Sequence, residues 1–328
     1  MSLDPHTSAD GVPEVSVLIR AHSRPQGLAA AIGSALGQTY GDLEVVVSDD
    51  SGELGPVAAG FDDRRVLYHR NLAPAGPAAN LRHAAGRARG RLLAMLSDDD
   101  RWLPTFLETT VGHLQRDPAL GVVFTDDLLE LSGRRIHHRL PYAPGRHDRF
   151  LPQILDHSIP ASASVMRRVV WEEGERSTPL RDEMVGDLTT WLRAASAGRS
   201  FYYVPEPLAI TRVHRGQISW SEETLPARIV DTLDAFRFDD PVCEELRLAR
   251  VSEFLFARAG VNLRRRDFAA ARSDIARARG KAPRRPGIRA LLAFAGLRGT
   301  AMRWGAAHPR VMGPALSLWR RIRPPVLP

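Results

Sequence analysis

The stretch Arg91-Leu92-Leu93-Ala94-Met95-Leu96-Ser97-Asp98-Asp99-Asp100-Arg101-Trp102-Leu103-Pro104 constrains this chain more than any other. Its apolar run from Leu92 to Leu96 has the length and continuity of a strand buried on both faces. The run stops at three consecutive carboxylates, which repel one another unless water or a cation intervenes. Two readings fit. A hard divalent cation takes oxygen ligands of this kind, and Mg²⁺ takes one or two carboxylates together with substrate phosphates. The other reading is an acidic loop capping a helix that starts near Pro104, because Asp is favoured near helix N-termini.

Strand and helix patterns alternate around this stretch. Val15–Ile19 predicts a first strand, ending in a polar turn at Arg20–Pro25. Gly27 to Gln38 has helical spacing, with Leu28, Ile32, Ala35 and Leu36 on one stripe. Leu43–Val47 predicts a second strand, closed by Ser48-Asp49-Asp50-Ser51-Gly52, and Arg65–Tyr68 a third. Asn80 to Gly90 reads as an Ala-rich helix that Gly90 can end. Such alternation argues for an α/β fold with a mostly parallel sheet, in which ligands sit at the carboxyl ends of the strands. Both acidic clusters fall there.

Composition narrows the function classes. One cysteine, Cys243, excludes an intrachain disulfide and a cysteine-based zinc site. No uninterrupted apolar stretch reaches membrane-spanning length. Met1 to Val12 reads as a flexible segment without the apolar core of a secretory signal. Residues 275–328 hold eleven Arg, one Lys and no Asp or Glu, so the net +7 conceals a tail of +12 on a body of −5. A basic tail on an acidic body points to an anionic partner surface.

Several motifs, in order, carry a resemblance. They are Val15–Ile19 with Arg24-Pro25, then Ser34-Ala35-Leu36-Gly37-Gln38-Thr39-Tyr40, then Leu43–Ser51, then Ala84–Pro104. Together they resemble the nucleotide-sugar domain of family 2 glycosyltransferases, of the GT-A fold, over residues 13–218. Further on, Glu183–Arg193 resembles the family's Asp-x-x-x-Trp-Leu-Arg segment, and Pro205 to Ser219 its closing Arg-x-His segment. The chain departs from the pattern at Ser97, at Ala21-His22-Ser23 and at Ala79.

The resemblance implies an inverting, metal-dependent transfer from a nucleotide-diphospho-sugar, a UDP-sugar first among them, to an acceptor hydroxyl. Asp50 would face the nucleobase, and Asp98 the ribose or the phosphates. Asp99 would ligate Mg²⁺ or Mn²⁺, with Asp100 either beside it or capping a helix. Arg212 could pair with a phosphate, and His214 could approach the metal or the diphosphate, or fill a structural place. Asp187 would deprotonate the acceptor, and its position also fits a helix N-cap. Asp126-Asp127 reads as a solvated strand end, with a third catalytic pair as the alternative. The hairpin after it turns at Ser132-Gly133, and His137, His138, His147 and His157 read as surface or acceptor-cleft residues.

Four segments follow: a flexible terminus at 1–12, the GT-A domain at 13–220, a helical extension at 221–282 and a basic amphipathic tail at 283–328. Leu246–Ala259 and Arg266–Ala278 resemble one helix–turn–helix of tetratricopeptide type. Basic residues beside Trp, Leu and Phe in the tail fit an anionic membrane surface, although packing on the acidic body and disorder fit as well. The location expected is the cytoplasm, at the inner face of the cell membrane, with a saccharide, lipid-linked or small-molecule acceptor. Nucleic acid is not expected, because no reading motif accompanies the charge. The rival functions are a Mg²⁺-dependent nucleotidyltransferase, for which Arg20–Leu28 is a poor phosphate loop, and a non-catalytic sugar-nucleotide-binding scaffold.

Overall fold

The computed structural model describes residues 11–179, 181–214 and 223–281. The chain runs β1 (Val15–Ala21), α1 (Pro25–Leu36), β2 (Leu43–Asp49), α2 (Gly55–Ala59), β3 (Val66–Arg70), α3 (Pro77–Arg87) and β4 (Leu92–Ser97). It continues through β5 (Arg101–Trp102), α4 (Phe106–Arg116), β6 (Leu120–Leu131), β7 (Arg134–His138), β8 (Gly145–His147) and α5 (Leu151–Asp156). A 3₁₀ turn at Ala161–Ala163 leads into β9 (Ser164–Arg167), α6 (Arg168–Ser177), α7 (Gly186–Ser196) and β10 (Ser200–Arg212). Three helices follow: α8 (Leu225–Asp234), α9 (Pro241–Arg264) and α10 (Phe268–Lys281).

These residues form two compact units, one of residues up to 214 with Asp231–Arg247, the other of 223–230 and 248–281. In the first unit the strands form one mixed sheet in the order β3-β2-β1-β4-β9-β6-β10-β5, with β7 on β6 and β8 on β10. The parallel part is β3-β2-β1-β4 together with the β6–β10 pair. Strand β9 runs antiparallel to both its neighbours, so the sheet is less parallel than the alternating pattern predicts. The 3₁₀ turn before β9 brings the chain into the sheet reversed.

Every residue of β1 except Arg20, all of β2, and β4 up to Leu96 are buried. That follows from their continuous apolar runs with helices against the sheet. Helix α1 turns Leu28, Ala31, Ile32 and Ala35 into this core, and α4 adds Phe106, Leu107, Val111 and Leu114. Helix α3 packs on β1 and β2. Because β2 lies on one side of β1 and β4 on the other, the connections diverge between β1 and β4. That divergence opens a crevice at the carboxyl ends of the strands, the usual place for a ligand in an open α/β sheet.

In the second unit α9 and α10 are tied by Ser252 Oγ, which donates to Ala278 O at 3.0 Å, and by Arg258, which meets the buried Asp274 at 2.9 and 2.5 Å. No described helix is long and apolar enough to cross a membrane. The expected tail at 283–328 lies outside the described residues.

Candidate active site

Strand β4 delivers Asp98, Asp99 and Asp100 into the crevice, where they are only 3%, 7% and 5% exposed. Three carboxylates this buried need nearby positive charge or hydrogen-bond donors. Each finds different ones. Asp98 Oδ1 accepts from Arg24 Nη1 at 2.7 Å and its Oδ2 from the His22 backbone N–H at 2.9 Å. Burial pushes the Asp98 carboxyl up, against the opposing pull of these donors. Asp99 Oδ2 lies 2.9 Å from His214 Nε2 and 3.4 Å from Arg24 Nη1. Burial works against the Arg24 charge, yet the carboxylates of Asp98, Asp99 and Asp100 outweigh it and hold the guanidinium above its ordinary value.

Asp100 is engaged through both oxygens. Ser162 Oγ donates to Oδ2 at 2.6 Å and the Arg212 backbone N–H to Oδ1 at 3.0 Å. Its carboxyl is pushed up to about 7, by burial first and by Asp99 second. It caps no helix: α4 begins at Phe106, after Thr105, so the capping expectation for the acidic loop does not hold. The three residues close a tight turn instead, with Asp100 N–H donating to Ser97 O at 3.1 Å. Arg212, expected to meet a phosphate, has an exposed side chain and holds Asp100 with its backbone.

Across β1 lies the second acidic position. Strand register sets Ala21 level with Asp49 and Arg20 level with Ser97, so the two acidic turns flank the end of β1. Asp50 Oδ1 accepts from Asn71 Nδ2 at 2.7 Å and Oδ2 from Gly76 N–H at 2.9 Å. Asn71 also reaches Asn80 at 3.2 Å and His83 at 3.0 Å. Asp182 supports the same corner, its Oδ1 accepting the Ala78 N–H at 2.9 Å in the first turn of α3. Arg24, Asn71, Ser162 and Asp182 are the residues of this site to which the sequence reading assigned no role. Arg24 lay inside a recognised motif, and Asn71 stands one residue past the end of β3. Asp182 carried no signal.

Asp187 stands in the first turn of α7, whose cap position is Val185. Its Oδ1 accepts the N–H of Leu188 at 2.8 Å, so it lies inside the helix rather than at the cap. Trp191 Nε1 fastens α7 by donating to Ile159 O at 2.9 Å, and Ser162 lies three residues further on. The segment 159–162 therefore ties the acidic turn of β4 to the helix that carries Asp187. Asp126 and Asp127 are corrected: they are no solvated strand end but fully buried, mid-strand in β6, and each is met by a histidine of β7 at 2.7 Å.

An α/β sheet of this order, with acidic turns at the ends of β2 and β4, is similar to the GT-A fold. The chain is similar in fold to S. aureus TarS 1-349 solved with UDP-GlcNAc, at TM-score 0.61 and 12% identity over 82% of this chain and 92% of that one. It is also similar to the mannosyltransferase PcManGT of Pyrobaculum calidifontis solved with GDP-Man and Mn²⁺, at TM-score 0.56 and 18% identity over 89% and 81%. At these identities the likeness is one of fold. No functionally curated protein matches the chain significantly. Residues 16–174 match Glycosyl transferase family 2. Over that stretch, just under half of its length, the chain resembles the glycosyltransferases of family 2.

Proposed function

We propose that this chain is a glycosyltransferase that moves a sugar, with inversion, from a nucleotide-diphospho-sugar to an acceptor hydroxyl, that the donor is a UDP-sugar, and that Mg²⁺ or Mn²⁺ is required. The observation that carries the reading is the meeting of His214 and Asp99, 115 residues apart in the chain, at the end of β4. No group of three or more His, Cys, Asp or Glu able to hold a metal occurs among the described residues. A carboxylate with an imidazole nevertheless fits a cation that takes its remaining ligands from phosphates and water. Asp99 and His214 would hold that cation. Asp100, engaged by Ser162 and Arg212, would steady the turn. Bound there, the cation would neutralise charge building on the departing diphosphate.

The chain's own residues supply the rest. Asp50 keeps lone pairs beyond those used by Asn71 and Gly76, so it can accept from a nucleobase N–H. Asp98 and Arg24 border the donor. Asp187 takes the proton of the acceptor hydroxyl, whose oxygen attacks the anomeric carbon as the bond to the diphosphate breaks on the opposite face. The +12 tail supports a place at the anionic inner face of the cell membrane and a cell-envelope saccharide as acceptor.

Calorimetric titration of UDP, dTDP and GDP, with and without Mn²⁺, tests the donor site on the wild type and Asp99→Ala. The expected result is UDP binding that needs the metal and weakens at least about 10-fold in the variant, since losing even a partner that supports a metal ligand costs about 10–100-fold. Weak, metal-independent binding of all three nucleotides would leave the acidic turn a structural feature.

A further inference from the structure

The loop between β3 and α3 is closed on Asp50 by a buried amide that sugar transfer, as proposed above, leaves without a role. In the β2–β3 register Arg70 stands level with Asp49, so the next residue, Asn71, comes beside Asp50. Ser48, Asp50, Asn71 and Asn80 are all buried. Asn71 Nδ2 donates to Asp50 Oδ1 at 2.7 Å, and the Asn71 backbone N–H donates to Asp49 O at 2.9 Å. At the other end of the loop the Gly76 N–H donates to Asp50 Oδ2 at 2.9 Å. Each oxygen of this carboxylate is thus pinned by one donor of the same loop, which sets the plane of the group.

The Asn71 amide is itself held in one orientation. Ala21 O can only accept, so Asn80 turns its Nδ2 towards it at 3.3 Å and its Oδ1 towards Asn71 Nδ2 at 3.2 Å. Asn71 Oδ1 then faces His83 Nδ1 at 3.0 Å, so His83 carries its proton there, and Ser48 Oγ donates to the same oxygen at 3.4 Å. Reversing the amide would set the Asn71 oxygen against those of Asp50 and Asn80. The network joins the end of β1, through Asn80 and His83 of α3, to the ends of β2 and β3, where the crevice opens. The kind of donor matters as well. Asp98 meets the Arg24 guanidinium, which takes up its charge. The Asn71 amide and the Gly76 N–H are neutral, so they fix the direction of Asp50 and leave its charge and remaining lone pairs to a third donor. A uracil ring offers one at its N3–H. A cytosine ring has a bare lone pair at that position, which a carboxylate so placed repels.

We propose that Asn71 is a positioning residue for the choice of nucleobase: it holds Asp50 so that a ring N–H is accepted there and a bare ring nitrogen is rejected. The inference rests on the reading of Asp50 as the residue that faces the base. Calorimetric titration of the full chain with UDP and with CDP, both in Mn²⁺, measures that choice without any transfer. Wild type is expected to prefer UDP about ten-fold or more, the scale of one hydrogen bond to a charged group. In Asn71→Ala, UDP should weaken about ten-fold and CDP no more than about two-fold, so that the preference collapses. A merely structural role would weaken both nucleotides together and leave their ratio standing, and that result overturns the proposal. His83→Ala is the second variant, at a partly exposed position. It removes the donor that orients the Asn71 amide and should lower the UDP preference about three-fold. Should Asn71→Ala not fold, an unchanged ratio in His83→Ala overturns the proposal instead. Asp50→Ala separates the two levels of the argument. A wild-type preference that Asp50→Ala abolishes and Asn71→Ala keeps defeats the role of Asn71 alone. Equal binding of UDP and CDP by wild type, or binding of neither, defeats the base-facing reading of Asp50 and the role of Asn71 with it.

Discussion

Asp49 and Asp50 are neighbours with different duties. Asp49 closes its own turn, accepting from Ser51 N–H at 2.8 Å, Ser51 Oγ at 2.7 Å, Leu54 N–H at 2.9 Å and Tyr68 Oη at 2.8 Å. Burial alone would push its carboxyl up, but these donors outweigh it and the value is lowered, Leu54 first among them. A lowered carboxylate contributes stability that is present above the ordinary carboxylate range and is lost as pH falls through the lowered value. Asp49→Asn should therefore destabilise the protein by about 1–3 kcal/mol near neutral pH. The gap in denaturation midpoint should hold down to about pH 5 and shrink below about pH 4. A gap that does not vary with pH would show that the charge of Asp49 is not what the turn uses. The same contrast runs through the acidic triplet, where Asp98 is held by Arg24, Asp99 by His214, and Asp100 by Ser162 with the backbone of Arg212. Three adjacent identical letters thus take three different partners, which no local rule of sequence distinguishes.

At the scale of elements, α1 and the acidic turn are fitted to each other by a missing side chain. A Cβ on Gly27 would come within 2.3 Å of the Asp98 carbonyl oxygen, a backbone atom with no freedom to turn aside. Gly27→Ala is expected to lower stability by about 1–3 kcal/mol, as overpacking does, and to weaken UDP binding by moving the turn. Unchanged UDP affinity in a calorimetric titration would mean that helix and turn shift together. The hairpin shows the opposite case, in which local chemistry suffices. Ser132 and Gly133 both have positive φ, 50° and 77°, the pair of conformations that a tight two-residue turn between strands demands. That turn, the strands β1, β2 and β4 and the helices α1 and α3 were legible because each follows from nearest-neighbour periodicity and turn residues. The reversal of β9 and the burial of Asp126 and Asp127 were not, since both depend on which strands come to lie alongside.

At the scale of the whole molecule, the uneven charge makes the clearest prediction. If the tail carries membrane contact, the full chain should float with vesicles containing anionic lipid at low salt, and detach as ionic strength rises and screens the charge. Removing residues 283–328 should abolish flotation and leave UDP binding intact. Flotation that survives the truncation would locate any membrane contact elsewhere. The described helices offer no apolar span in its place. By itself the sequence determined the fold class, the family resemblance and the strand ends at which chemistry would gather, because hydrophobic period and motif order are local properties. It also placed Asp99, Asp100 and His214 as candidates for one cation. Only the tertiary structure decided which side chains share a partner. It brought Arg24 onto Asp98 across 74 residues, Ser162 onto Asp100 across 62, and a pair of histidines onto two carboxylates that read as solvated. The reason is physical: a buried charge must be met by whatever the packed chain brings within about 3 Å, and that depends on how the sheet is ordered rather than on the residues next in line.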